Sequence, residues 1–423
     1  MNRIAVVGAS YVGLTTAACF AKLGHHVVCA DIDPARIERL QRGELPIVEP
    51  GLEELVRDGL ATGHLSFVVG AAAAARDCEF AYLCVQTPQD SQGAADLSWV
   101  EAAAREVGAV VGSEAIVVNK STVPVGSTTV VERAMGRPDV RVVSNPEFLR
   151  EGSAVHDFLH PDRVVIGSED RAAAVRVASL FLGISAPLIV TDPASAETIK
   201  YAANAFLATK VSFVNAVAAV CEAVGADIGD VVLGIGSDQR IGAEFLRPGP
   251  GWGGSCLPKD TQALVHIAEG AGYDFGLLRG VIQVNEDQRS RVVDKVRRAA
   301  GGDLAGRTIA AWGLTFKANT DDLRASPALA IAGAMAAEGA HVRAYDPAIG
   351  RPVDGVEVVT TAYEACSGAD ALVVLTEWDE FRWVDWTKVA DEMRVPAVVD
   401  ARNLLDRHLL GRHGFSYEGI GRR

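Results

Sequence analysis

The run Gly249-Pro-Gly-Trp-Gly-Gly-Ser-Cys-Leu-Pro-Lys-Asp260 sets a thiol, an amine and a carboxylate within five residues, at Cys256, Lys259 and Asp260. Gly249, Gly251, Gly253 and Gly254 precede them and let the backbone come close to a ligand. A thiol attacks as its thiolate, and a neighbouring ammonium favours that form. The run therefore points to covalent chemistry through sulfur. The structural alternative is a buried cysteine in a turn, since free cysteine packs as a small hydrophobe. A glycine-rich, charged loop is a poor place to bury one.

A nucleophile needs something to bind its substrate, and the start of the chain offers a dinucleotide site. Residues 4–8 read as a short buried strand, 11–23 as an Ala-rich helix and 27–31 as a second strand ending in an acid. The turn Gly8-Ala-Ser10-Tyr11-Val12-Gly13 follows G-x-G-x-x-G, except that Ser10 replaces the glycine that lets a pyrophosphate approach. The serine adds a Cβ there, and its hydroxyl offers a phosphate contact in exchange. Asp31 falls roughly 20 residues beyond Gly8, where an acid binds the ribose 2′-OH and repels a 2′-phosphate, so NAD is expected over NADP. Further strands are expected over 79–85, 115–120 and 140–143. Each runs into a Pro-marked loop: Gln86-Thr87-Pro88, Ser121-Thr122-Val123-Pro124 and Ser144-Asn145-Pro146-Glu147. In an open parallel sheet these loops line one crevice. Each alone is ordinary turn chemistry.

Residues 194–224 carry a helical pattern without Pro or Gly, which Gly225 ends. We expect a helix of roughly 46 Å, a spine between domains and a subunit interface. Lys200 and Asn204 share one face of it; the alternative is a solvated lysine and a tolerated asparagine. The last third repeats the opening. A strand ending at Gly313 leads to an Ala-rich helix over 326–338, and Gly339-Ala-His-Val-Arg-Ala-Tyr-Asp346-Pro347 echoes the segment ending Asp33-Pro34. Its loop 314–325 carries Lys317 and Arg324, which suit a phosphate unless Asp321 and Asp322 pair with them. The expected fold is α/β: two Rossmann-like doubly wound domains joined by a long central helix. The divisions are 1–193, 194–300 and 301–423.

Composition bounds the rest. The chain has 423 residues, 49% of them apolar, and a net charge of −14. With no basic run, nucleic acid and anionic membranes are poor partners. Seven cysteines, widely spaced and without Cys-x-x-Cys, argue against a disulfide framework or a zinc site, so no metal is expected. No signal peptide precedes the first strand, and no apolar run of about 18 residues is free of charge or glycine. We expect a cytoplasmic protein.

At this point the chain resembles the UDP-glucose/GDP-mannose dehydrogenase family over nearly its whole length. The resemblance rests on the Tyr-Val-Gly turn, Ser121-Thr122-Val123-Pro124-Val125-Gly126, Asn145-Pro146-Glu147-Phe148-Leu149-Arg150-Glu151-Gly152, and the Lys200/Asn204 helix. It rests equally on Gly253-Gly254-Ser255-Cys256-Leu257-Pro258-Lys259-Asp260 and Gly313-Leu314-Thr315-Phe316-Lys317. Arg240-Ile241-Gly242 and Asp400-Ala401-Arg402-Asn403 look most like the UDP-glucose 6-dehydrogenase branch, and Ser10 is the main departure. The resemblance implies NAD-dependent oxidation of a nucleotide sugar at C6, from alcohol to carboxylate. It implies Cys256 as nucleophile, Lys200 and Asn204 as oxyanion donors, Asp260 as the group that positions water or takes protons, and Glu151 and Thr122 as assistants. It places NAD on Gly8, Ser10, Tyr11, Val12, Gly13, Asp31, Arg36, Thr87, Thr122, Glu151, Lys259 and Arg324. The nucleotide sugar falls to Glu147, Phe148, Leu149, Lys200, Asn204, Arg240, Phe245, Gly253, Lys317 and Arg402. Arg240 would come from a partner subunit, making a homodimer or larger homo-oligomer necessary. The closest alternative is the same chemistry on dTDP-glucose, a UDP-N-acetylhexosamine or GDP-mannose. Two-electron hydroxyacid dehydrogenases share the plan but have no use for Cys256. A scaffold without turnover would have no use for the whole set.

Overall fold

The computed structural model describes residues 1–88 and 95–422. They pack as two compact units, Met1–Ala203 and Asn204–Arg423.

The first unit is built on eight strands: β1 (Arg3–Val7), β2 (His26–Asp31), β3 (Leu65–Val69), β4 (Phe80–Leu83), β5 (Ile116–Asn119), β6 (Arg141–Ser144), β7 (Val164–Gly167) and β8 (Leu188–Thr191). They lie in the order β3-β2-β1-β4-β5-β6-β7-β8. Neighbours run parallel except β6 and β7, which meet antiparallel through Ser144 and Gly167. The sequence pattern does not reveal β3, β7 or β8. Alternate residues of β1 feed two cores. Ile4 and Val6 join Leu14, Phe20 and Tyr82 on one face, while Ala5 and Val7 join Leu83, Val100 and Val117 on the other. Burial on both faces is why these strands are continuously apolar. The helices that matter below are α1 (Tyr11–Lys22), α2 (Ser98–Gly108) and α3 (Ser127–Met135).

The helix α4 (Pro193–Val224) has 32 residues and carries the chain from the first unit into the second. Among the described residues it is the helix long and apolar enough to cross a membrane. Glu197, Lys200, Lys210 and Glu222 interrupt it, so it holds no run of 18 residues free of charge, as expected from the sequence. Its faces are unlike. Asn204, Ser212 and Asn215 are buried, whereas Phe206, Phe213 and Val220 are exposed and repeat every seventh residue along one stripe.

The second unit holds α5 (Leu257–Gly270), α6 (Gly276–Ala299) and a sheet of β9 (Thr308–Trp312), β10 (His341–Tyr345), β11 (Glu357–Val358), β12 (Ala371–Val374), β13 (Ala397–Asp400) and β14 (Ser416–Gly419). The order β11-β10-β9-β12-β13-β14, all parallel, is doubly wound. The expected repeat of the opening is therefore present, with α7 (Pro327–Ala337) in place of α1.

One glycine shows why the opening turn is spelled as it is. A Cβ on Gly13 would lie 1.8 Å from the Gly8 carbonyl oxygen. Ser10, the N-cap of α1, makes no side-chain capping bond. Gly13→Ala should therefore cost about 2–4 kcal/mol in urea unfolding, whereas Ser10→Gly should change it by less than about 0.5 kcal/mol. An alanine at 13 that unfolds at the wild-type midpoint would show that the turn can yield.

Candidate active site

In the first unit four of the expected cofactor residues gather at the carboxyl ends of β1 and β2. Gly8, Ser10, Asp31 and Arg36 line one cavity of about 540 Å³, within the usual range for a small-molecule site. Gly8 has φ +102°, and its own Cβ would lie 2.6 Å from the Cys84 carbonyl oxygen. The turn thus forms a backbone cradle beside an acid, which fits a dinucleotide. Asp31 is organised in advance: it accepts from Ala9 N (2.9 Å), Asp33 N (3.0 Å) and Arg36 Nη1 (3.0 Å). Val12 instead packs on the core, so its side chain serves the fold.

Tyr11 reaches elsewhere. Its phenol donates to Glu49 and accepts from Gly152 N (2.8 Å). Glu49 also accepts from Gly152 N and Ala154 N, both at 2.7 Å. This buried carboxylate holds the turn that carries Glu151. Nothing in the sequence singles it out, because its partners are 103 and 105 residues away. Glu197 was missed for the same reason. It accepts from Gly126 N (2.6 Å), Thr128 N (3.0 Å) and Thr128 Oγ1 (2.8 Å), tying the Ser121–Gly126 loop and the start of α3 to α4. Burial raises its carboxyl above the ordinary range despite these donors.

The three Pro-marked loops do meet. Thr87 Oγ1 donates to Thr122 O (2.8 Å), Ser121 Oγ to Val85 O (2.7 Å), and Lys120 Nζ lies 3.4 Å from Asn145 Oδ1. Behind them is a smaller cavity of about 140 Å³, lined by Lys120, Glu147, Phe148 and Arg163 among others. Here Lys200 is not an isolated cation. Its Nζ is 2.9 Å from Glu147 Oε1, and both side chains are only 4% exposed. Glu147 also accepts from Leu149 N at 2.7 Å. The Phe148 ring is flanked by two cations, with Arg163 Cζ 3.6 Å and Lys200 Nζ 5.5 Å from its centroid. Burial would push the Glu147 carboxyl up, but Lys200, the Leu149 amide and Lys120 together hold it below the ordinary range.

In the second unit Cys256 is the N-cap of α5 rather than the middle of a loop. An anion at this position faces the unpaired N–H groups of a helix start. The other six cysteines are buried. Asp260, one turn on, is fully buried and accepts from Asn204 Nδ2 and Lys259 Nζ, each at 2.5 Å. Lys259, expected as a cation for the thiolate or cofactor, thus spends a strong bond on Asp260. Asn204 likewise positions Asp260, with one amide hydrogen left for another oxygen.

The glycines before Cys256 allow close packing. A Cβ on Gly253 would lie 2.1 Å from Ala325 O, and one on Gly254 would lie 2.8 Å from the Phe316 ring. The cysteine run is therefore pressed against the basic loop that carries Lys317. Arg402 joins the same place, donating to Phe316 O (2.9 Å) and Leu375 O (2.8 Å). Buried amides clamp the run from the far side: Asn215 on Gly249 N (2.8 Å), and Asn285 on Trp252 N (2.8 Å) and O (3.0 Å). Phe245 has φ +63° and Asn403 φ +51°, strained conformations beside expected substrate residues. One expected residue is not drawn in: the Arg240 side chain is 89% exposed and bound to Asp238. Arg324 is forked on Asp322, and its carbonyl accepts from Gly254 N of the cysteine run at 3.2 Å.

The Glu147–Lys200 pair yields a stability test. Lys200→Met leaves a buried carboxylate unpaired and should cost about 3–5 kcal/mol, most of it recovered in Glu147→Gln/Lys200→Met. Because the folded carboxyl titrates below its unfolded value, the pair stabilises above that unfolded value. The benefit is lost as pH falls through the folded one. Urea unfolding of the three proteins near neutrality and at acid pH would check this. A single variant as stable as wild type would mean the pair is not buried.

Comparison with known proteins identifies the family. Residues 2–184 match the NAD binding domain, 194–287 the central domain and 310–407 the UDP binding domain of the UDP-glucose/GDP-mannose dehydrogenase family. The chain is 46% identical over 433 residues to UDP-glucose 6-dehydrogenase TuaD of Bacillus subtilis (strain 168), covering 100% of this chain and 94% of that protein. It is 46% identical over 435 residues to UDP-glucose 6-dehydrogenase of Rhizobium meliloti (strain 1021), covering 99% of each. Among solved structures, a UDP-glucose dehydrogenase from the archaeon Pyrobaculum islandicum superposes with TM-score 0.93 at 38% identity, over 100% of this chain and 98% of that one. With full-length relatives at this identity and three family domains in order, the chain belongs to the UDP-glucose/GDP-mannose dehydrogenase family.

Proposed function

We propose that this chain oxidises UDP-glucose at C6 to UDP-glucuronate, using two NAD and passing through a cysteine-bound thiohemiacetal and thioester. The observation that carries it is Cys256 at the start of α5, the one cysteine not buried, with Asp260 held one turn away by Asn204 and Lys259. Burial pushes the Cys19 and Cys84 thiols up to about 12, which leaves them poor nucleophiles. The substrate assignment rests on the relatives named above and on Arg402 and the Lys317 loop beside the cysteine run. The same chemistry on another nucleotide sugar is the second reading, since a UDP-D-ManNAc dehydrogenase of Pyrococcus horikoshii superposes with TM-score 0.89 at 30% identity.

NAD bound at the Gly8–Asp31 cavity supplies the acceptor for one hydride from C6 in each oxidation. The first removes the C6 hydroxyl proton and one hydride, giving an aldehyde. Cys256 Sγ then bonds to C6, and the former carbonyl oxygen gains a proton. That thiohemiacetal carries a hydride to give, and loss of this hydride together with the hydroxyl proton leaves a thioester. Water attacks C6, the C–S bond breaks, and the carboxylate and the thiol are released. Lys200 and Asn204 stabilise the oxygen on C6 while it bears negative charge. Asp260 takes and returns protons, and Glu147, held ionised, keeps Lys200 charged and in place. Thr122 and Glu151 sit on the loops fixed by Thr87 and Glu49 and assist the protons and the water. We assign residues 1–193 to NAD, 194–300 to linkage, dimerisation and the cysteine, and 301–423 to the nucleotide sugar, in a cytoplasmic enzyme.

Complete turnover should yield two NADH per UDP-glucuronate, and Cys256→Ala should lower carboxylate formation by at least about a thousandfold, consistent with losing a nucleophile. Absorbance at saturating substrate with product chromatography reads both. Carboxylate produced by the variant near the wild-type rate would refute the covalent route.

The exposed stripe Phe206, Phe213 and Val220 and the exposed Arg240 support a homodimer formed along α4, with Arg240 entering the partner's site. Arg240→Ala and Cys256→Ala, each inactive, should regain up to about a quarter of wild-type activity when mixed and allowed to exchange chains, one intact site in four. A fully active monomer in sedimentation, or a monomer that partitions into lipid vesicles, would count against the dimer.

A further inference from the structure

Trp99 is the sole tryptophan among residues 1–203, and it belongs to none of the buried cores of this unit. The buried side of α2 is Val100, Ala103, Ala104 and Val107. Trp99 and Ala102 lie outside it, on the side that lines the large cavity. The indole is 49% exposed and Ile32, on the same cavity, is 67% exposed. Large apolar side chains left this open on a soluble surface mark a contact surface when they face one concavity. Sheet order explains their placement. Ile32 follows β2 and Trp99 opens the helix after β4, and these strands flank β1. The two side chains therefore belong to opposite walls of the cleft at the β1 carboxyl end.

The cavity has a mixed lining. Asp31 with Arg36 and Asp33, and Ser98 and Glu106 on α2, are polar, and Ile32, Trp99 and Ala102 are apolar. Given the dinucleotide reading, on which this inference rests, Asp31 holds the adenosine ribose. The base joined to that ribose is planar and apolar on its faces, and must sit within one bond of the sugar. We propose that Trp99 is the residue that seats the adenine ring, stacking on it across the cleft from Ile32. The nicotinamide end makes no use of it. A stack of this kind is tolerant of base identity but requires an aromatic face.

The test uses the full-length protein. Calorimetric titration of wild type, Trp99→Phe and Trp99→Ala with NAD and with ADP-ribose should show the alanine variant weakened roughly tenfold for both ligands. The phenylalanine variant should stay within about threefold of wild type. The KM for UDP-glucose should not move. NAD should also quench indole emission in wild type by more than in Trp99→Phe. Because Trp99 is half exposed, neither variant should lose its fold, and circular dichroism checks this. Unchanged NAD affinity in Trp99→Ala, or a loss for NAD without the same loss for ADP-ribose, would overturn the assignment. A wild-type protein that binds neither ligand would instead overturn the dinucleotide reading itself.

Discussion

Charged groups kept out of water must be paired before any ligand arrives, and this constraint shapes both units. Two acids are buried at the expected chemistry, Glu147 and Asp260. Glu147 takes its donor from Lys200 and Asp260 takes one from Asn204, and these donors are one turn apart on α4. Removing a carboxylate from water costs several kcal/mol unless such partners are in place. One helix carries both donors in its sequence, and each carboxylate has its partner before a ligand binds.

Anchoring of loops is the second theme. The turn bearing Glu151 hangs on Glu49 and Tyr11, and the loop bearing Thr122 on Thr87 and Glu197. The cysteine run hangs on Asn215 and Asn285. In each case side chains satisfy backbone groups of the loop: Glu49, Tyr11, Glu197, Asn215 and Asn285 accept from N–H groups, and Thr87 donates to a carbonyl. Loops expected to bear reacting groups are thereby held by side chains from distant parts of the chain. The glycines at 253 and 254 add the complementary condition, because any side chain there would collide with Ala325 or Phe316.

Strain sits in the same neighbourhood. Among the described residues Phe245, Asn319, Ala325 and Asn403 are the non-glycines with positive φ. Ala325 is the residue packed on Gly253, Asn319 lies in the Lys317 loop and Asn403 follows Arg402. Such conformations cost of order 1 kcal/mol or more each and persist where surrounding contacts over-determine them. Here those contacts include Arg402 on the Phe316 carbonyl and Ser326 on the Leu314 carbonyl.

The sequence by itself determined the α/β class, the glycine turn with Asp31, the long helix and the cysteine run. Each is written locally, in strand-length apolar runs, helical spacing or a short spelling such as Gly-Gly-Ser-Cys-Leu-Pro-Lys-Asp. The family resemblance also rested on such short spellings, and the comparisons agree with it. Only tertiary structure decided how charges and amides pair. Lys200 joins Glu147 from 53 residues away and Asn204 joins Asp260 from 56. Glu49, Glu197, Asn215 and Asn285 gained their roles in the same way, and β3, β7 and β8 took their places in the sheet only through pairing. The reason is physical. Periodicity and spacing record what a residue does within its own element, whereas hydrogen bonds and ion pairs across a core depend on distances that chain order does not contain.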